Sequence, residues 1–401
     1  MARYNTVMHV TATLRARPRL DGLAWRGLAV RFALASLVAL VLLVDGTPPR
    51  ELRIRQTVGP YQFRLLDWEL ERLGERAGRI GAGLVGRRPA LDGSGRQAAA
   101  AYFAAASGER EPLRADAEAV IERGLTAILE SEGLHLPMPL APDGNVVFPP
   151  VSFSFVSRTR LLVVSPRDRI VVNQSVLLRP DVSLDQAVAI ERAVDDYQVS
   201  SLVVPIGGLA TYPTMVLEGS RPLDALVGVA HEWIHGYFFF RPLGQAYWAS
   251  SAARMINETA ADLAGRELGE RLLRDLELIQ ERVVAAPAAS ESRPAGRDFR
   301  TIMRTTRIEV DRLLAAGQIE AAEAYMRDRR DELAAAGYDV RKLNQAYFAF
   351  YGSYGDGAAG ASPIPERLRR LREASPSLGD FLRRVAALAD GDDLARAIGD
   401  R

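Results

Sequence analysis

The chain has 401 residues, of which 48% are hydrophobic and 25% charged; these proportions are typical of folded globular proteins, and the length allows more than one domain. Its formal net charge of +1 gives no electrostatic case for nucleic acid or for a strongly anionic substrate. No cysteine is present, which excludes disulfides, thiolate zinc sites and a cysteine nucleophile.

The first predicted element is an apolar run at residues 28–44, LAVRFALASLVALVLLV, whose only charge is Arg31. At about 1.5 Å per residue, a helix of this length covers roughly 25 Å and can cross the hydrocarbon layer when flanking residues contribute. Arginine outnumbers acid in and before the run, which predicts a cytoplasmic tail at residues 1–27 and an extracytoplasmic remainder. We therefore expect a single-pass anchor in the lipid bilayer, with a cleaved signal peptide or a buried core helix as alternatives.

Residues 45–140 are predicted to form a helical N-terminal region. Segments 55–80 and 96–133 place apolar residues three and four positions apart among charged ones, the pattern of an amphipathic helix.

Residues 145–218 are rich in Val, Phe and Thr with turn residues between short runs, which predicts strands. One helix is expected within them, with Ser183 as its N-cap. Beyond residue 222 helical patterns return, and residues 299–315 and 317–336 are predicted to pair as a helical hairpin after a loop at 285–296.

The predicted fold class is accordingly α+β, with a strand-rich half followed by a helical half. The core is expected at residues 141–284, and residues 285–401 are expected to form a helical region that completes the cleft.

The stretch HEWIH, residues 231–235, carries two of the four histidines. It lies in a helix-compatible segment that starts at Pro222, and residues four apart on a helix share a face. His231 and His235 can therefore reach one Zn²⁺, with Glu232 beside a metal-bound water. This spacing predicts the geometry of a hydrolase.

A catalytic zinc site needs a third protein ligand and an open position for water. The metzincin extension is excluded, because Phe238 and Arg241 stand where that class has Gly and His. Downstream, the helical pattern MINETAADLAG places Glu258 and Asp262 one turn apart on a common face.

With HEWIH followed by NETAAD, residues 200–275 resemble the gluzincins, the thermolysin-like zinc peptidases. The resemblance implies a thermolysin-like zincin domain in which Glu258 is the third zinc ligand and Glu232 is the general base. It further implies that Asp262 orients His231 and that Asn257 holds the other imidazole.

The family also lays its substrate along an exposed edge strand ahead of the first motif. Residues 207–213 are the candidate, with Gly208, Ala210 and Tyr212 as the contacting positions. A turn followed by a core strand is the alternative interpretation.

Family members stabilise the oxyanion with a His or Tyr downstream of the third ligand. No histidine follows His235, so Tyr351 and Tyr354 are the candidates for this catalytic role. The alternative is that these tyrosines pack a C-terminal helix onto the core.

The sequence thus predicts a membrane-anchored zinc metallopeptidase that acts on a peptide or protein substrate outside the cytoplasm, without a nucleic-acid partner. Whether it cuts internally or from an end stays open. The alternatives are an envelope scaffold with a structural metal site, which a fourth protein ligand such as His135 would indicate, and an intramembrane metalloprotease.

Overall fold

The computed structural model divides into two compact units, residues 1–53 and 54–401. Of the first unit it describes only residues 49–53, so the account below concerns the second. The residues described are 49–72, 74, 92–138, 141–157, 159–218, 221–247, 250–278, 299–352 and 362–400.

Helices dominate the beginning of the described chain. They are α1 (Pro49–Val58), α2 (Gly93–Ala104) and α3 (Glu111–Ser131), with residues 65–72 also helical. The predicted helix over 55–80 is interrupted, because α1 ends at Val58 and Gly59–Tyr61 form a 3₁₀ turn around Pro60, whose ring cannot continue an α-helix. The predicted helix over 96–133 is likewise two helices, and Pro112 lies in the first turn of the second, a position that proline favours.

Short strands follow, and those within residues 145–218 were predicted; β1 and most of β2 precede that region, and β1 lies in the part predicted to be helical. They are β1 (His135–Met138), β2 (Ala141–Val147), β3 (Phe153–Val156), β4 (Arg160–Pro166), β5 (Gln174–Leu178), β6 (Val199–Pro205), β7 (Gly208–Leu209) and β8 (Thr214–Leu217). Helix α4 (Leu184–Asp195) interrupts them, and Ser183 caps it by accepting a hydrogen bond from Gln186 N. The predicted N-cap is confirmed.

The strands form three small sheets. The first is the antiparallel pair β1 and β2, the second has the order β3-β8-β7, and the third has the order β5-β4-β6. In the second sheet β3 runs parallel to β8, while β7 pairs antiparallel with β8 and lies at the edge. This edge faces the helix that begins at Pro222.

From residue 222 the described chain is helical. The helices are α5 (Pro222–Phe239), α6 (Pro242–Gln245), α7 (Ser251–Asp275), α8 (Phe299–Ala315), α9 (Ile319–Ala335), α10 (Gln345–Tyr351), α11 (Ile364–Glu373), α12 (Leu378–Ala386) and α13 (Gly391–Ala397). Helices α8 and α9 pack against each other, so the predicted helical hairpin is confirmed.

Helices α5 and α7 form the most extensive helix pair and lie at the centre of the largest hydrophobic cluster. Their buried residues include Trp233, Ile234, Ile256 and Leu268, and burial of each large side chain contributes about 1.5–3 kcal/mol. Two glycines of α7, Gly265 and Gly269, permit the close approach. A Cβ on Gly269 would lie 2.6–2.8 Å from atoms of Val227 in α5, and a Cβ on Gly265 would lie 3.1–3.2 Å from atoms of His231.

The α+β organisation predicted from the sequence is confirmed. Among the residues that the structure describes, no helix combines the length and apolar character needed to cross a bilayer. The predicted anchor at 28–44 and the predicted loop at 285–296 lie outside the described residues.

Candidate metal centre

Helix α5 carries the first half of the site. It begins with Pro222 in its first turn, and Ala225, Leu226, Val229 and Ala230 are buried. Because this apolar face fixes the rotation of the helix, His231 and His235 lie one turn apart on a neighbouring face. Their side chains remain 13% and 14% exposed.

Helix α7 carries the second half. Ser250 caps it by accepting from Ala253 N, and the following turns bury Asn257 and Glu258, which are 2% and 5% exposed. Charged groups are rarely buried so deeply without a partner, so the position of Glu258 calls for a positive group next to its carboxylate.

Three ligand atoms from the two helices converge. Nε2 of His231 and Nε2 of His235 are 2.9 Å apart, and Oε2 of Glu258 lies 3.7 Å from the first and 3.5 Å from the second. A triangle with these sides has a circumradius of about 2.0 Å, which matches Zn–N and Zn–O bond lengths. The group of three could therefore hold one metal ion.

Hydrogen bonds behind the imidazoles fix their orientation. Nδ1 of His231 lies 3.0 Å from Oδ1 of Asp262, and Nδ1 of His235 lies 2.6 Å from Oδ1 of Asn257. With acceptors at both Nδ1 positions, each Nδ1 donates a hydrogen bond and each Nε2 is directed at the same point. At 2.9 Å the two Nε2 atoms need a proton or a metal ion between them, because two lone pairs facing each other would repel.

The carboxylate of Glu258 gives a second indication that this group suits a cation. Its Oε1 accepts a hydrogen bond of 2.6 Å from the hydroxyl of Tyr247. Its Oε2 is buried and has no hydrogen-bond partner among the described residues. A buried carboxylate oxygen without a partner is costly, and a metal ion shared with the imidazoles would satisfy it.

The electrostatics of the three ligands follow from their proximity. Burial disfavours the charged form of His231, but its hydrogen bond to Asp262 and the nearby carboxylates of Glu258 and Glu232 outweigh burial and raise its pKa well above 6.5. Burial likewise opposes charge on His235, whose pKa is nevertheless raised by Glu258. Burial acts to raise the pKa of Glu258, yet the two imidazoles hold it well below its usual range.

Glu232 lies between this group and the sheet. It is partly exposed, and burial of its carboxylate raises its pKa. The structure gives it no hydrogen bond or ion pair with any described residue, so the carboxylate is available for proton transfer. It also lies against β7, since a Cβ on Gly208 would be 2.6 Å from its Oε1.

The candidate substrate strand is shorter than predicted. Only Gly208 and Leu209 have strand geometry, at the edge of the sheet. Ala210 and Tyr212 follow the end of β7, and Tyr212 is 46% exposed. Of the three predicted contact positions, the structure brings only Gly208 next to Glu232.

Tyr351, one of the two predicted oxyanion donors, packs away from the metal ligands. The ring of Tyr351 packs 4.5 Å from that of Tyr347, in two hydrophobic clusters beneath β4, β6 and α9, as the packing alternative predicted. Tyr354 lies outside the described residues.

Tyr247 is the site residue that the sequence interpretation missed. It follows α6 and precedes α7, so it lies between the two motifs, whereas the family pattern places the hydroxyl donor after the third ligand, here Glu258. Its pKa is raised by burial and then by Glu258, which keeps the hydroxyl protonated as a donor. The presence of a tyrosine between the two motifs is the sequence feature that could have indicated its place in the site.

His135 does not contribute a fourth ligand. It begins strand β1 and lines a cavity with Tyr237, Arg241 and Arg383, and the potential metal group within the described chain comprises His231, His235 and Glu258.

No family model, curated protein or solved structure matches the chain.

Proposed function

We propose that the protein is a zinc-dependent peptidase of thermolysin-like architecture. The observation that carries the proposal is the convergence of two imidazole nitrogens and one carboxylate oxygen on a point about 2.0 Å from each, the distance of a zinc ligand. The orphaned Oε2 of Glu258 supports it independently.

Three protein ligands favour a catalytic over a structural site. Structural zinc sites are closed by four protein ligands, whereas catalytic ones keep a position for water. Within the described residues the group has three members, and both histidines are partly exposed. The structural-scaffold alternative would need a fourth side chain at this point.

When bound, the metal lowers the pKa of a coordinated water towards about 7 and polarises the substrate carbonyl. Glu232 accepts the proton from the attacking water and delivers it to the leaving amine. Its carboxylate, which has no hydrogen bond or ion pair with the described residues, and its raised pKa suit both transfers, because a general base works best when its pKa approaches the operating pH.

The surrounding residues position the reaction. Asp262 and Asn257 hold the imidazole rings, and Tyr247 fixes Glu258 with its second oxygen directed at the histidines. Among the described residues the hydroxyl of Tyr247 contacts a metal ligand, so we assign it the role of oxyanion donor in place of Tyr351 and Tyr354, with its single proton turning from Oε1 of Glu258 to the oxyanion.

The edge strand β7 is the proposed substrate-binding element. An extended peptide can add to an exposed edge through backbone hydrogen bonds, and at Gly208 the backbone lies directly against Glu232. A side chain at this position would displace the base, which gives the glycine a functional reason.

The test is metal analysis and a peptidase assay on the purified full chain and on Glu232→Gln. We expect about one zinc per chain in both, and turnover lowered by about 10²–10⁴-fold in the variant, the contribution of a general base. Glu270→Gln on α7, which removes an exposed carboxylate near Arg266, is the control and should keep full activity. Unchanged turnover in Glu232→Gln, or no zinc in the wild type, would contradict the proposal.

A further inference from the structure

A contiguous apolar surface lies beyond the end of the metal-binding helix. Its five members come from β1, the end of β2 and the end of α5, and we call them the aromatic patch: Leu136, Val146, Phe148, Phe239 and Phe240. Phe239 is 67% and Phe240 54% exposed. Exposed apolar groups gathered in one place mark interaction surfaces.

The members of the patch are in contact with one another. The ring of Phe240 lies 5.0 Å from that of Phe148 and 5.1 Å from that of Phe239. Leu136 and Val146 are register partners across the β1–β2 pair. The patch is therefore one surface rather than scattered exposed side chains.

A cavity of about 380 Å³ opens beside the patch. Leu136 and Phe148 belong to both, and the cavity also contains the side chains of His135, Arg241 and Arg383. Apolar rings at the rim and two guanidinium groups inside give the surface an amphiphilic character.

The two arginines carry charge that the described part of the chain does not neutralise. The guanidinium of Arg241 lies 3.5 Å from the ring centre of Tyr237 and donates to that residue's carbonyl. Arg383 donates to the carbonyl oxygen of Gly133 at 3.1 Å. Neither forms an ion pair with a described carboxylate, and neighbouring Glu132 is already bound to Arg271.

We propose that the aromatic patch and its two arginines dock on the surface of a bilayer that contains anionic phospholipids. Phe and Leu side chains bury at the boundary between headgroups and acyl chains, as on the apolar face of interfacial helices, and each arginine near an anionic surface adds about 1 kcal/mol of attraction, or about fivefold in binding. The apolar run at residues 28–44 supports this partner over others, because a chain anchored there would hold the patch at high local lipid concentration.

The proposal goes beyond the peptidase activity and does not depend on it. It does carry a consequence for the metal centre: Phe239 follows His235 by four residues in the same helix, about 6 Å along the axis. Docking would place the metal ligands next to the membrane surface.

The absence of cysteine allows a clean test on the full chain. A single cysteine is introduced at Phe240 or, as the control, at Ile308 of α8, which is also 54% exposed. Each is labelled with an environment-sensitive fluorophore, and the chain is reconstituted in nanodiscs of phosphatidylcholine with or without phosphatidylglycerol. Quenching by headgroup nitroxide lipids then reports contact with the bilayer.

We expect strong quenching at position 240 in anionic nanodiscs and little at position 308. Arg383→Gln, at an exposed position, should lower the ratio of docked to undocked chain about fivefold; Arg241→Gln should do the same, with circular dichroism verifying that it folds. Inorganic phosphate should leave the signal unchanged.

Three results would overturn the proposal. Equal quenching at both positions would show no preferred face. Loss of the signal on addition of inorganic phosphate would indicate a site for a free anion. Protection of the label at 240 without lipid, together with dimerisation, would assign the patch to a second copy of the chain.

Discussion

Gly265→Ala and Gly269→Ala in α7 should have different effects: one should weaken zinc binding and the other should lower the stability of the contact between α5 and α7. At Gly269 a Cβ would lie 2.6, 2.7 and 2.8 Å from a side-chain methyl, the backbone N and the Cα of Val227. At Gly265 it would lie 3.1–3.2 Å from N, Cα and Cβ of His231. Restoring ordinary contacts near 3.5 Å requires a shift of about 0.8 Å at the first position and about 0.4 Å at the second.

Two opposing effects decide whether each alanine raises or lowers the free energy of unfolding. Replacing glycine by alanine inside a helix gains about 1 kcal/mol of helix propensity, whereas overpacking costs about 1–3 kcal/mol. At Gly269 the obstructing atoms include backbone, which cannot rotate away, so we expect the free energy of unfolding to fall by about 2 kcal/mol, near the upper limit of the balance between overpacking and propensity. At Gly265 the two effects roughly cancel.

Zinc affinity should be lowered more by alanine at Gly265 than by alanine at Gly269, the reverse of the order expected for stability. The methyl at Gly265 presses on His231 itself, and small displacements of a positioned group cost roughly tenfold or more in function. We therefore expect Gly265→Ala to weaken zinc binding by about tenfold with little change in stability. The assays are urea unfolding of the EDTA-treated chain and zinc competition against a chelator.

Gly228→Ala is the matched control. It lies in α5, and its added Cβ meets only Cγ1 of Val216 at 3.5 Å, an ordinary contact. It should stabilise the chain by up to about 1 kcal/mol and leave zinc affinity unchanged. Stabilisation of the same size in Gly269→Ala would refute the inference that close helix packing holds the site together.

Three further predictions concern the groups around the metal. Asp262→Ala should lower zinc affinity about 10–100-fold, as measured by chelator competition, because His231 loses the acceptor that fixes its ring; affinity equal to the wild type would remove Asp262 from the site. Tyr247→Phe should retain zinc but lower kcat by about 10²–10³-fold, the effect of losing an oxyanion donor, whereas Tyr351→Phe should change neither. The EDTA-treated chain should lose stability as pH rises above 6.5 through the raised pKa of His231, because a group that binds its proton more tightly in the folded state stabilises that state only while protonated. Urea unfolding midpoints across this pH range measure the effect, with the zinc-loaded chain as the control. The reverse trend would show that the pKa of His231 is lowered.

The features that depend on local spacing could be predicted from the sequence. His231 and His235 share a helix face because four residues make about one turn, and the same holds for Glu258 and Asp262. The N-cap at Ser183 follows from its own side chain and the next three residues. These relations depend on a few neighbouring residues and not on the tertiary contacts of the chain.

The remainder depends on contacts between distant segments. Nothing local shows that Gly265 and Gly269 bring α7 against α5, or that Gly208 passes over Glu232. Tyr247 lies outside any periodic element, so its place between the two motifs is visible in the sequence but its contact with Glu258 is not. The exposure of Phe239 and Phe240 was also hidden, because burial at a helix end is decided by which other elements cover it.

Zinc K-edge absorption spectroscopy on the zinc-loaded full chain tests the central claim most directly. We predict one zinc per chain with two imidazole nitrogens and oxygen ligands at about 2.0–2.1 Å, and loss of this spectrum in His235→Ala and in Glu258→Ala. A spectrum with four protein ligands would identify a structural site. A spectrum unchanged in both variants would show that the metal binds elsewhere and would contradict the account.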